Sequence, residues 1–281
     1  CTTADTSTAA GEYVFLATVF ETQHLQHLRK GESDAKKLYL SFYAKADASL
    51  TYVAEMYDNE HDRIQSQTFA VTTDWQRFTF EIPADTNGET FDNDNSAGLS
   101  IHWWLHGGSD YTSGTLSGSW ANRTNANRAA GIGSVIASTS RTFFLTGVQL
   151  ELGGVSDFEQ VPSDVQLARC KRYFENYELE SGSALVGLSF NANDATARLE
   201  YKITKRTAPT IGGLTAAQSG TGMSFLTNAG SYSSAAGSLA SHSISIDGCR
   251  INGSSQGNLD NPGCTLLYAT GDNTITIDAE L

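Results

Sequence analysis

Apolar and polar side chains alternate with a period of two along most of the chain. In KKLYLSFYAK, Leu38, Leu40, Phe42 and Ala44 alternate with Tyr39, Ser41, Tyr43 and Lys45. This pattern predicts a strand with one buried face. Leu50, Tyr52, Ala54 and Met56 repeat it in LTYVAEMY, and Phe78, Phe80 and Ile82 repeat it in RFTFEI. In GLSIHWWLHGG, Leu99, Ile101, Trp103 and Leu105 face one way, and Ser100, His102, Trp104 and His106 face the other. A last strong strand is predicted in SRTFFLTGVQLELGG, ended by glycines. Between the strands, ADTNGETFDNDNSAG and GSDYTSGTLSGSWANRTNANRAAG are rich in turn residues. Short strands at such spacing, with no βαβ alternation, predict an antiparallel β-sandwich over 12–160, after a polar lead-in at 1–11.

The period changes over 161–179. In VPSDVQLARCKRYFENY, Pro162 precedes Ser163 as N-cap, and Asp164 lies in the first turn. Leu167, Cys170, Phe174 and Tyr177 then recur on one helical face, with Cys170 read as a small buried hydrophobe. This predicts a helical connector that plugs one end of the sandwich or seats a second domain. Alternation returns in SALVGLSF, ATARLEYKIT, HSISI and NTITIDAEL, which predicts a smaller C-terminal β-domain over 180–281. Within it, 214–241 is poor in large apolar residues and can bury little area. It reads as a long loop, a weak β-region or a surface ordered by another chain, and self-association is expected on that ground.

Charge narrows the partners. The 281 residues hold 18 basic and 31 acidic side chains, a net charge of −13. Residues 1–160 carry 10 basic and 20 acidic groups, and residues 161–281 carry 8 and 11. This balance argues against a nucleic-acid partner, which needs clustered Lys and Arg. No apolar run approaches the roughly 20 residues needed to span a bilayer as a helix, so no membrane insertion is expected. With 17% charged and 10% aromatic residues, the composition is that of a folded chain.

Several segments carry a resemblance. HLQHLRKGESDAKKLYLSFYAKA, then DWQRFTFEIPADTNGETFDNDNSAGLSIHWWLHGGSDYTSGTLSGSWA, then FFLTGVQLELGGVSDFEQVPSDVQLARCKRYFENY occur in this order. Together they resemble a β-sandwich domain of tailed-bacteriophage structural proteins, often labelled tail-fibre or tail proteins. The closing TGVQLELG…FE…LARCKRYF is the most specific piece, and the resemblance spans roughly residues 12–178. ITKRTAPTI resembles, more vaguely, a strand that follows the same helix. The resemblance implies a jelly-roll sandwich like that of carbohydrate-binding modules, followed by the helix and the smaller β-domain. It implies a virion component on the particle surface, in a tail or head appendage. Other virion proteins are its implied partners, and homo-oligomers, usually trimers, its implied state. It brings no catalytic residues.

The candidate chemistry is correspondingly that of binding. No GxSxG elbow, HExxH pair or solenoid period is present, and the chain is read as a non-enzyme. His102, Trp104 and His106 share a strand face, and Tyr111 and Trp120 follow in the next loop. Aromatic faces stack on sugar C–H surfaces and polar neighbours bond hydroxyls, so these five form a candidate glycan platform. The alternative is a face hidden in a subunit interface or under a loop. Asp85, Asn87, Glu89, Asp92 and Asp94 supply hard oxygen ligands for a structural Ca²⁺, the one cofactor considered. The alternative is a solvated Asx-rich turn. His24 and His27 are spaced to share a metal, although Leu25 and Leu28 read as packing residues. Cys249 and Cys264 bracket a Gly/Asn-rich loop and are candidates for a disulfide, with two free thiols as the alternative. Cys1 is read either as a lipid-bearing start or as the edge of a fragment.

Three functions fit: a tail-fibre or receptor-contacting protein that binds host surface glycans; a head fibre, decoration or adaptor subunit with no ligand; or a carbohydrate-binding module of a polysaccharide-degrading system.

Overall fold

The computed structural model describes residues 3–217, 222–226, 237–256, 259 and 263–280. The chain divides into two units, Cys1–Gln160 and Val161–Leu281. Both are all-β in character; among the described residues every strand-to-strand ladder is antiparallel, and one isolated bridge, Ala216 to Met223, is parallel.

The first unit contains β1 (Tyr13–Glu21), β2 (Leu38–Ala46), β3 (Leu50–Asp58), β4 (Arg63–Val71), β5 (Gln76–Ile82), β6 (Ala97–Gly107), a single turn α1 (Ser109–Thr112), β7 (Ala121–Asn122) and β8 (Phe143–Leu152). One sheet has the order β1-β6-β3-β4-β7 and the other β5-β2-β8. The period-two reading holds in the strands: Leu40 and Phe42 on β2, Tyr52 and Met56 on β3, Phe69 on β4, and Leu99, Ile101 and Trp103 on β6 form one buried core. Phe42 meets Phe69 and Trp103 edge-on, with ring centroids 5.1 and 5.9 Å apart. Each such burial contributes about 1.5–3 kcal/mol.

The five-stranded sheet also buries residues on its other face. Segment 108–135 crosses it and is pinned by main-chain bonds: Ser66 N–H to the Ser117 carbonyl (2.7 Å), Gly133 N–H to Thr51 (2.8 Å) and Val135 N–H to Leu105 (2.9 Å). Residues 9–12 dock on its start, where Gly108 N–H donates to the Glu12 carbonyl at 2.8 Å. A Cβ at Gly108 would lie 2.2 Å from the Ala9 carbonyl oxygen, so only glycine lets the two backbones approach.

The second unit holds α2 (Ser163–Lys171), β9 (Phe174–Leu179), β10 (Ala184–Ser189), β11 (Ala195–Glu200), β12 (Thr210–Gly212), β13 (Met223–Phe225), β14 (Ser238–His242), β15 (Gly248–Ser254), β16 (Gly263–Ala269) and β17 (Asn273–Asp278). Its sheets run β13-β16-β10-β11-β15-β14 and β12-β17-β9. Leu199, Phe225, Ile251 and Leu267 of the larger sheet and Leu179, Ile275 and Ile277 of the smaller share one core. Lys205 and Glu175 form a fully buried ion pair at 2.8 Å, and the Lys205 ammonium also donates to the Lys171 carbonyl.

Four expectations are corrected in this unit. The helix ends at Lys171, has Pro162 rather than Ser163 as N-cap, and buries no residue; Leu167 and Cys170 are exposed. Phe174 and Tyr177 belong to β9, because Glu175, Tyr177 and Leu179 also alternate and pairing with β17 satisfies that backbone. HSISI is not a strand beyond His242, and Ile244 and Ile246 are exposed. Cys249 and Cys264 are free thiols on β15 and β16, which are separated by β10 and β11. Three strand spacings of about 4.8 Å put them far beyond disulfide reach. Of the thin 214–241 stretch, 218–221 and 227–236 lie outside the described residues; Met223 and Phe225 within it are fully buried. Cys1 also lies outside them.

Candidate functional site

Chemistry-bearing side chains of the first unit gather in three places. The first is the face of the five-stranded sheet under segment 108–135. Register places Glu55 of β3 opposite His102 of β6, with Trp104 two residues on. The Glu55 carboxylate accepts from His102 Nδ1 (2.9 Å), Trp104 Nε1 (3.2 Å) and Arg128 Nη2 (2.6 Å). Burial pushes this carboxyl up, but the hydrogen bonds from His102 and Arg128 outweigh it and hold Glu55 below the usual glutamate value. The Arg128 guanidinium stacks over Trp104 at 4.8 Å and Tyr57 at 5.2 Å. Phe15 stacks on His102 at 4.6 Å, and Tyr111 packs on Trp104 at 5.2 Å.

The expected glycan platform is therefore not an open surface. Trp104 is 0% exposed, and His102 and His106 are also buried. Alternation gave the direction of these side chains correctly, but segment 108–135 covers them. Only Tyr111 and Trp120 of the five keep partial exposure.

His106 contributes a pH dependence. Its Nδ1 lies 2.9 Å from the Ser134 hydroxyl, and burial lowers its pKa below the usual 6.5. The unfolded chain thus binds a proton at a pH where the folded chain does not, so stability falls as pH drops through about 6.5. Glu55 adds to this in acid, since its stabilisation is present above its unfolded value near 4.5 and lost as pH falls through its lower folded value. We expect the melting temperature to fall between pH 7.5 and 5.5, and His106→Gln to flatten that slope. An unchanged slope in the variant would contradict the assignment.

The second place is a buried charge cluster. The Lys30 ammonium lies 2.9 Å from Asp58 and 3.7 Å from Asp85, and it donates to the Glu89 carbonyl at 2.8 Å. Arg63 holds both Asp85 oxygens, at 2.8 and 3.0 Å, and His61 Nδ1 meets Asp58 at 2.9 Å. This corrects the calcium expectation. Asp85 is neutralised by cations, Asn87 bonds Glu89, the Asp92 N–H is held by Glu60, and Asp94 caps Thr22 and Ser96. Among the described residues no three His, Cys, Asp or Glu side chains converge to hold a metal. His24 and His27 are exposed, while Leu25 and Leu28 are buried in the core.

The third place is an open cleft between two loops, lined by Arg63, Pro83, Asp85, Asn87, Ser119 and Trp120. The Trp120 indole donates to the Pro83 carbonyl at 2.7 Å, which locks the ring against the opposite loop. Arg63 is fixed by Asp85 below and by Asn122 at 3.1 Å. The cleft brings the half-buried Trp120 indole, the exposed Asn87 amide and the exposed Ser119 hydroxyl into one concavity, with Arg63 already committed to Asp85 and Asn122; these side chains suit a polyhydroxylated ligand. It unites Trp120 of the aromatic set with Asp85 and Asn87 of the acidic set. Arg63 and Ser119 were not singled out in the sequence, and neither sits in a motif. The fold is what joins these loops, 34 residues apart between Asp85 and Ser119. No family model, curated protein or solved structure matches the chain.

Proposed function

We propose that the chain is a structural protein of a tailed-phage virion, a tail-fibre or other receptor-contacting component, whose first unit contacts host surface glycans in the Trp120 cleft. The resemblance over residues 12–178 supports the virion role. The topology supports a jelly-roll reading: the chain crosses between the two sheets from β1 to β2, β2 to β3, β4 to β5, β5 to β6 and β7 to β8. The observation that carries the glycan reading is the cleft itself, with the Trp120 indole N–H bonded to the Pro83 carbonyl beside Asn87 and Ser119.

Trp120→Ala should weaken binding to an immobilised bacterial surface polysaccharide about tenfold, since losing one well-packed aromatic contact costs about 1.4 kcal/mol. Trp120 also packs against the core, so the exposed Asn87→Ala serves as the second variant, with weakened binding and an unchanged melting temperature expected. Wild-type affinity in both variants would exclude the cleft.

A further inference from the structure

One pair in the buried charge cluster of the first unit is built for more than neutralisation. The Lys30 and Asp58 side chains are 6% and 0% exposed, and Lys30 Nζ lies 2.9 Å from Asp58 Oδ2. The two oxygens of Asp58 have different surroundings. Oδ1 accepts the main-chain N–H of Glu60 at 3.1 Å and that of His61 at 3.2 Å. A turn that follows an Asp at a strand end accounts for those two bonds. It does not account for Oδ2, which faces the Lys30 ammonium and, at 2.9 Å, His61 Nδ1. The same Nδ1 lies 3.3 Å from Lys30 Nζ. An amine, a carboxyl carbon, two N–H groups on one oxygen, and an imidazole shared by the amine and the other oxygen are the parts of an acyl-transfer site. The buried pair of Lys205 and Glu175 lacks them: among the described residues no imidazole meets it, and Glu175 Oε1 has no hydrogen-bond partner.

We propose that Lys30 and Asp58 condense to an intramolecular amide, with His61 as the proton carrier. The ammonium passes one proton to Oδ2, which leaves an amine and a carboxylic acid. The Nζ lone pair attacks Cγ, and the charge that gathers on Oδ1 is held by the Glu60 and His61 N–H groups. His61 Nδ1 takes a proton from Nζ and delivers it to the Oδ2 hydroxyl, the Cγ–Oδ2 bond breaks, and water leaves. Of the three ammonium protons, one stays on the amide and two depart with the water, and no oxidant or activated co-reactant is consumed. The amide N–H keeps an acceptor in the Glu89 carbonyl, 2.8 Å from Nζ. A cavity of about 20 Å³ lies against Lys30 and Asp85 among Leu28, Phe91 and Leu99, with room for the one water released. Asp85 stays paired with Arg63, so the bond strands no charge.

Bulk water opposes such a bond between free partners. The fold holds these two at an effective concentration on the order of 10⁵ M or more, above that of water itself. Condensation also removes two charges from the core, and hydrolysis has to restore them there. The product ties the loop before β2 to the end of β3 and constrains the unfolded chain as any cross-link does. The inference rests on neither the virion nor the glycan reading.

Intact-mass spectrometry of the whole chain, sampled at intervals after cell-free synthesis, tests this. The expected result is a mass that falls by one water, with tryptic peptides joined between Lys30 and Asp58 and none joined between Lys205 and Glu175. Lys30→Arg keeps the buried cation but offers no amine, and should hold its full sequence mass with circular dichroism as in the wild type. His61→Leu, folded by the same criterion, should form the bond at least about tenfold more slowly. A wild-type chain that keeps its full sequence mass, a water lost only elsewhere such as a succinimide at Asp247 and Gly248, a loss that persists in Lys30→Arg, or a His61→Leu chain that condenses as fast as the wild type would each overturn the inference. Failure of glycan binding would leave all these readouts unchanged.

Discussion

Trp104→Ala should destabilise the first unit by about 3–5 kcal/mol, the range for removing a large aromatic from a well-packed site. The side chain is fully buried and its indole N–H is bonded to Glu55. Its ring carries the Arg128 guanidinium on one side and contacts Tyr111 and Phe15. Truncation opens a cavity and withdraws one of the partners of a buried carboxylate. Urea unfolding followed by tryptophan fluorescence measures this unit alone, because all four tryptophans, Trp75, Trp103, Trp104 and Trp120, lie within residues 1–160. A shift below about 1 kcal/mol would mean that segment 108–135 does not seal this face.

Glu55→Ala should cost a comparable 3–5 kcal/mol for a different reason. The carboxylate is the common acceptor for Arg128, His102 and Trp104, all of them buried. Removing it leaves a guanidinium with 10% side-chain exposure and without the carboxylate it is bonded to. Most of the loss is the penalty of that orphaned cation, so the double variant Glu55→Met with Arg128→Met should recover much of it. If the double variant is as unstable as the single, the loss comes from packing and not from the stranded charge.

The strands and their inward faces were legible because period-two alternation is a local signal, and Leu40, Phe42, Tyr52, Ile101 and Trp103 all lie in the core that it implied. Burial on the second face was not legible. Whether Trp104 meets water depends on where residues 108–135 run, and that is set by main-chain bonds to β3, β4 and β6 rather than by any pattern near Trp104. The acidic run had the same weakness: spacing showed oxygen density at 85–94, while the cations that consume it, Lys30 and Arg63, come from elsewhere in the sequence. In the second unit, FENYEL carries both a helical stripe and an alternation, and the partner strand β17, about 100 residues away, decides between them. The Gly/Asn-rich composition around Cys249 hid β15 in the same way, because its pairing with β11 compensates for weak strand propensity.

Screening the whole chain against an array of bacterial surface polysaccharides, beside Trp120→Ala and Asn87→Ala, addresses the glycan-contacting role directly. Binding by the wild type to at least one polysaccharide, lost or reduced about tenfold in both variants, is the expected outcome. A folded wild-type chain that binds none of them would contradict it.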